Sequence, residues 1–339
     1  MTGKGGLLGL AGAFSLQAPP SVFSDSNTQK RQKILIIGYG SIAKRHSEIL
    51  ESFQENYEVH LVTRQDIDYH ISFKSLAEIK QLDAYEYYLI CSETFKHREQ
   101  LDYLNQNLRD KLILVEKPLF VTYEPIGELR NHIFVAYNLR YHPILQKIKD
   151  LVETERVLSV HIYCGQYLPH WRPGRDYRNC YSSIKAAGGG VLLDISHEID
   201  YCQWLFGSLD SLQAINGKIS PLEMDADDYV SLIAKTNQGT LLNLSMDCFS
   251  KVPKRDITIH LETKTIFADL ISGRLQINDS EGQIEDEDYS DLERNSSYQA
   301  MHKSLLSGQK TSVCTYDEAL NVNKTIDEIR ASSETKKWC

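Results

Sequence analysis

Apolar residues follow two different rhythms along the chain. From Lys33 to Asn138 they come in short uninterrupted runs separated by longer amphipathic stretches. Lys33-Ile-Leu-Ile-Ile37 is mostly β-branched and runs into a glycine, the pattern of a strand buried on both faces of a parallel sheet. A helix is expected from Ser41 to Phe53, a strand over 58–62, a short helix over 75–80, a strand over 87–91 and a helix over 95–108. Strands over 112–115 and 133–136 complete a doubly wound α/β unit. After a helix from His142 to Glu153 the rhythm becomes alternating, with strands expected over 158–165, 211–219, 229–236, 240–247, 256–262 and 265–270. Gln238-Gly239 reads as a hairpin turn between two of them. One continuous helix is expected from Val191 to Phe206, an acidic solvated loop over 279–295, and a terminal helix over 316–332 that returns to the first domain.

The pattern gives an α/β fold class: a doubly wound Rossmann domain over 33–138, then an α+β domain over 139–339 with an open-faced, mostly antiparallel sheet. The length of 339 residues suits two such cores. Composition removes some partners. With 42% hydrophobic residues and no apolar run of membrane-spanning length, a soluble protein is expected. A net charge of -9 opposes nucleic-acid binding. The seven cysteines are scattered, without CxxC pairs or metal-ligand spacing, so reduced thiols in a cytoplasm and no bound metal are expected. Residues 1–32 read as a flexible leader: the apolar patch over 7–16 is short and broken by glycines, where a signal peptide needs a longer apolar centre.

Candidate chemistry begins directly after the first strand. Gly38-Tyr39-Gly40-Ser41-Ile42-Ala43 has the form GxGxxA and opens a helix. Gly38 allows the tight turn, Gly40 lets backbone approach a pyrophosphate, and small Ala43 allows close helix-strand packing, with the phosphates at the positive helix end. The second strand ends Thr63-Arg64 where a ribose-binding carboxylate is usual. A hydroxyl beside a guanidinium suits a 2′-phosphate, which favours NADP over NAD; stacking of Arg64 on adenine is the alternative.

Two further segments bear proton-handling groups. Glu116-Lys117-Pro118 puts a lysine at the carboxyl end of a parallel strand, where open α/β sheets bind ligands. Gly188-Gly-Gly190 precedes Asp194 and His197, whose three-residue spacing on a helix puts both on one face, so that the carboxylate orients the imidazole. Together with Cys91-Ser92-Glu93-Thr94, His46, His97 and Asn138-Leu-Arg140-Tyr141-His-Pro143, these segments resemble the glucose-fructose oxidoreductase, inositol dehydrogenase and MocA family from Lys33 nearly to the end of the chain. The resemblance implies hydride transfer at a carbinol carbon and an open-faced sheet that often forms homodimer or homotetramer contacts. It implies cofactor contacts from the glycine loop, Thr63, Arg64, Ser92, Glu93, Thr94, His97, Glu116 and Lys117, proton handling by Lys117 and His197, and support from Asp194. Family members commonly place the histidine four residues after the aspartate; here it follows by three.

For the substrate, the segment Tyr167 to Arg178 combines Tyr167, Trp171 and Tyr177 with Arg172, Arg175 and Arg178. Aromatic faces suit pyranose C–H surfaces, and guanidinium groups suit a carboxylate or nucleotide-sugar phosphate. Arg140 and Tyr141 are expected to join the same pocket. The segment resembles a bacterial branch associated with surface-carbohydrate biosynthesis, implying an amino sugar, a sugar acid or a nucleotide sugar. Three function classes follow: a dehydrogenase; a lyase, hydrolase or epimerase that oxidises its substrate transiently on retained cofactor; and a dinucleotide-binding protein without turnover.

Overall fold

The computed structural model describes residues 31–53, 57–69 and 71–335, so the expected leader lies outside it except for Arg31 and Gln32. The first strand, β1 (Gln32–Ile37), is followed by α1 (Ser41–Ser52), β2 (Tyr57–Val62), β3 (Ser72–Phe73), β4 (Tyr87–Ile90), α2 (His97–Asn107), β5 (Leu112–Val115) and β6 (His132–Val135). These six strands are mutually parallel. Their order across the sheet is β6-β5-β4-β1-β2-β3, with a seventh strand, β15 (Cys314–Thr315), antiparallel on the β6 edge. β1 and β4 are neighbours whose following helices leave in opposite directions, which opens a crevice at their carboxyl ends. All of Ile34 to Ile37 and Tyr87 to Ile90 is buried, as runs flanked by helices on both faces require.

The second sheet takes α3 (Pro143–Val152), β7 (Val157–Gly165), α4 (Val191–Asp194), α5 (His197–Phe206), β8 (Leu209–Gly217), β9 (Tyr229–Thr236), β10 (Leu241–Asp247), β11 (Lys254–Leu261), β12 (Thr265–Asp269), β13 (Arg274–Asn278) and β14 (Gln283–Asp288). Its order is β14-β13-β12-β11-β7-β10-β9-β8, antiparallel except for the β7–β10 pair. One face carries Val160, Ile162, Leu232, Leu244, Ile257 and Ile259 into a core shared with the first sheet. The other is open and presents Ile233, Leu241 and Phe267, each at least 45% exposed.

The chain then returns. α6 (Ser296–Ser307) places Met301 and Leu305 in the core on the α1 face of the first sheet. α7 (Tyr316–Glu334) contributes Ala319, Val322, Ile326 and Ile329 to the shared core. Three expectations are corrected. The acidic stretch after 279 contains β14, whose alternate positions are partly shielded while its charges face water. The helix expected over 191–206 is two helices, because Ile195 leaves helical geometry at ψ 24. The short helix over 75–80 is a single 3-10 turn, Leu76–Glu78. Among the described residues no helix is long and apolar enough to cross a membrane.

Burial also sets an acid limit. His142 accepts the Ile144 amide at the start of α3, and desolvation, helped by Arg255, pushes its pKa down to about 4 from 6.5. The unfolded chain binds this proton near pH 6.5 and the folded chain resists it to about pH 4, so stability falls as pH drops through that window, by about 1.4 kcal/mol per unit per imidazole. His97, His197 and His302 are displaced in the same direction. Denaturant unfolding between pH 7 and 4 should show this slope, and His142→Asn, which keeps a capping oxygen, should reduce it by one imidazole's share. An unchanged slope would refute the assignment.

Candidate active site

The turn from β1 to α1 depends on backbone meeting backbone. Gly38 has φ +101, and a Cβ there would lie 2.8 Å from the Cys91 carbonyl and the Ser92 amide. Its N–H donates to Val62 O at 2.8 Å, tying the turn to β2. Gly40, at the start of α1, is different: among the described residues a Cβ there meets nothing within 4 Å, and no side chain caps the helix. The first-turn amides of α1 thus stand beside space that a pyrophosphate can fill.

That space is part of a cleft of about 1580 Å³ along the carboxyl edge of the first sheet. Thr63, Arg64 and Lys74 line it at the β2 end; Gly38 to Ile42, Ser92, Glu93 and Thr94 line the middle. Glu116, Lys117, Arg172, Arg175, Tyr181 and Tyr298 line the rest. A dinucleotide fits this lining: amides for phosphate at the centre, and hydroxyl and cationic groups at the ribose end.

Lys117 is half-buried, its Nζ donating to the Asp194 backbone carbonyl at 2.5 Å. Burial pulls its pKa down, while Asp194, Glu116 and Glu198 pull the other way and Arg255 assists burial. The Asp194 side chain does not orient His197. Asp194 ends α4 and His197 begins α5, and the break between them turns the carboxylate to the hydroxyls of Tyr181 and Ser182. Burial raises the Asp194 pKa. Among the described residues His197 Nδ1 has no hydrogen-bond partner, and its ring meets Tyr137 edge-on at 5.6 Å. Burial, then Lys117 and Arg255, holds its pKa well below the ordinary value, so the imidazole is neutral.

Other expected contacts lie away from the cleft. His97 is 1% exposed and ties two loops together through the carbonyls of Ser92, Pro118 and Leu119. Arg140 is equally enclosed: its Nε and Nη2 donate to Asp200 and its Nη1 to Glu318, so the guanidinium is consumed internally. Tyr141 packs into the core on the α1 face. Tyr167, Trp171 and Tyr177 pack with Leu168, Leu222 and Cys248 in a satellite core, and the Tyr177 hydroxyl accepts the Glu223 amide. Arg178 pairs with Asp176 and Glu223. Arg172 and Arg175 reach the cleft, and the Arg172 guanidinium lies 4.9 Å from the Tyr181 ring centre. The sequence reading missed Lys74, Tyr181 and Tyr298. Lys74 follows a strand of two residues, too short to show a pattern, whereas Tyr298, Met301 and Leu305 repeat at helical spacing and could have revealed α6.

Two family models cover most of this body. Residues 32–133 match the oxidoreductase family with an NAD-binding Rossmann fold, and residues 145–267 match the GFO/IDH/MocA C-terminal domain. The chain belongs to the GFO/IDH/MocA family of oxidoreductases. An uncharacterized oxidoreductase from Synechocystis is 25% identical over 199 residues, and the match spans about half of either protein, 53% of each. Among solved structures, levoglucosan dehydrogenase in complex with NADH and levoglucosan superposes with TM-score 0.78 at 16% identity, over 91% of this chain and 99% of that one. The WlbA dehydrogenase from Bordetella pertussis, in complex with NADH and UDP-GlcNAcA, gives 0.73 at 17%, over 90% and 97%. At such identities the likeness is one of fold. The GFO/IDH/MocA chain described here accordingly has an NAD-binding Rossmann sheet followed by the family's second domain.

The two glycines make a paired test. Gly38→Ala should lower unfolding free energy by about 1–3 kcal/mol through its positive φ and backbone clash. Gly40→Ala should leave stability unchanged or slightly raised, yet weaken dinucleotide binding by roughly tenfold or more. Denaturant unfolding and NADH fluorescence titration separate the two effects; equal losses in both variants would sink the assignment.

Proposed function

We propose that this chain is an NAD(P)-dependent dehydrogenase acting on a carbinol carbon of a sugar, sugar acid or nucleotide sugar. The observation that carries this reading is that the glycine loop, Lys117 and two arginines open on one cleft. When bound, the nicotinamide accepts or returns the hydride. Lys117 Nζ holds the substrate oxygen and handles its proton, an ammonium made easier to deprotonate by burial. His197, a neutral imidazole whose buried Nδ1 has no partner among the described residues, is the second proton acceptor. Asp194 acts through Lys117 and Tyr181 rather than through His197. Arg172 and Arg175 offer donors to a substrate carboxylate or phosphate. Free thiols at Cys91, Cys164, Cys202, Cys248 and Cys314, all buried, support a cytoplasmic setting, and the apolar open sheet face supports a homodimer or homotetramer.

The test combines mass spectrometry of dinucleotide retained by the purified protein with a panel of sugars, sugar acids and nucleotide sugars. Net reduction of cofactor with loss of two hydrogens from the substrate is expected, and Lys117→Ala should slow it about 10²–10⁴-fold. Conversion without net reduction would replace this reading by transient oxidation; full activity in Lys117→Ala would remove Lys117 from the mechanism.

NADP is the favoured cofactor on the chemistry of the β2 end. Among the described residues no carboxylate lies within ion-pair distance of Arg64, whereas Lys74 is engaged by Asp66 at 2.6 Å and by Gln65 O at 3.0 Å. Arg64, whose charge reaches the Glu93 carboxylate without pairing with it among the described residues, is the cation offered to a 2′-phosphate. Arg64→Ala should weaken NADPH by about tenfold and NADH by less than about threefold in fluorescence titration. Equal losses would favour adenine stacking.

A further inference from the structure

Four buried side chains form a single hydrogen-bonded chain behind the cleft. The Tyr87 hydroxyl on β4 meets His302 Nδ1 on α6 at 3.0 Å. His302 Nε2 meets His46 Nδ1 on α1 at 2.7 Å, and His46 Nε2 meets Glu116 Oε1 at 2.7 Å. The other oxygen of Glu116 accepts the Lys117 amide at 3.1 Å. None of the four is more than 6% exposed. Tyr298, one turn before His302, packs edge-on to His46 at 5.5 Å and fixes the same face of α6 against α1.

The direction of these bonds follows from counting hydrogens. Burial, then His46, keeps the His302 pKa well below its ordinary value, so this ring is neutral, with one donor and one acceptor nitrogen. If the Tyr87 hydroxyl donates to His302, then His302 Nε2–H donates to His46 Nδ1 and His46 Nε2–H donates to Glu116. Every hydrogen then has an acceptor. Reversed, the phenol hydrogen has none among the described residues, a costly arrangement for a buried hydroxyl. The donors therefore all point toward the Glu116 carboxylate.

We propose that His302 and His46 are positioning residues that fix the Glu116 carboxylate against Lys117 and thereby help Lys117 keep its proton. The proposal rests on the reading of Lys117 as the proton-handling group. Lys117 is faced by Glu116 beside it, Asp194 on α4, Glu198 on α5 and Arg255 on β11; the three carboxylates favour the ammonium, and Arg255 and burial oppose it. Released from His46, the Glu116 carboxylate turns toward solvent in the cleft, and its share is lost.

The experiment is competitive acetylation of the full-length protein with acetic anhydride across a pH series, with Lys117 read by peptide mass spectrometry. His302→Phe should lower the labelling midpoint of Lys117 by about half to one pH unit. His302→Gln, whose amide can donate to His46 and accept from Tyr87, should restore it. Tyr87→Phe, which keeps the ring, should produce a smaller move in the same direction and decides the matter if His302→Phe does not fold. Long-range proton–nitrogen NMR of the wild-type protein should show both imidazoles as Nε2–H tautomers. An unchanged midpoint in folded His302→Phe or in Tyr87→Phe, failure of His302→Gln to restore it, or an imidazolium at either position near pH 7 would overturn the proposal. The labelling midpoint needs no turnover, so a failure here is distinct from full activity in Lys117→Ala.

Discussion

The close approach of the β1–α1 turn to the end of β4 is the constraint on which the rest of the site depends. Gly38 lets two backbones touch, and the Cys91 N–H donates to Ile37 O at 2.8 Å across the same junction. That contact fixes where α1 begins, hence where its free amides point, and where the loop carrying Ser92, Glu93 and Thr94 leaves the sheet. β5 sits one strand further on, so Glu116 and Lys117 reach the same edge by ladder geometry alone. The Gly38 turn and position in the sheet together bring the first-turn amides of α1 and a half-buried lysine to one cleft.

How far each feature was legible in the sequence depends on how local its cause is. Parallel strands buried on both faces write themselves as apolar runs, so β1, β4, β5 and β6 are legible to within a residue or so. The glycine-rich turn after β1 is local as well. β14, with the sequence Gln-Ile-Glu-Asp-Glu-Asp, reads as a loop because an edge strand mostly in water needs no apolar face; pairing with β13 makes it a strand. β3 and β15 have two residues each, too few for any period. The Asp194–His197 pairing failed because periodicity presumes an unbroken helix, and the break at Ile195 leaves no compositional mark. Arg140 and His97 have the residue types of a binding site, yet their partners, Asp200, Glu318 and three carbonyls, come from elements that spacing does not relate to them.

Charges behind the cleft are unusually enclosed. Arg255 Nε stands 2.7 Å from Glu198 Oε1, without an aligned hydrogen bond, and Glu198 has no exposed surface. Arg140 and Asp200 are similarly sealed, with the bidentate geometry that offsets their desolvation. Such pairs add little net stability, but each fixes the local potential. Burial first, then Lys117 and Arg255, leaves His197 neutral, and burial set against Asp194, Glu116 and Glu198 leaves the lysine pulled in both directions; proton transfer needs groups poised between their charge states.

The return of α6 and β15 to the first sheet gives the molecule an order of assembly. Met301 and Leu305 complete the core over α1, and Cys314–Thr315 close the β6 edge, yet all of these residues are translated after the entire second sheet. The nucleotide-binding half is thus discontinuous in the gene's reading direction. A nascent chain that has emerged through β6 still has an uncovered apolar face and an unpaired strand edge, a state prone to wrong association until α6 and β15 have followed. The first sheet is in this sense closed by segments from both sides of the second one, so its edge and its α1 face share the fate of α6 and β15.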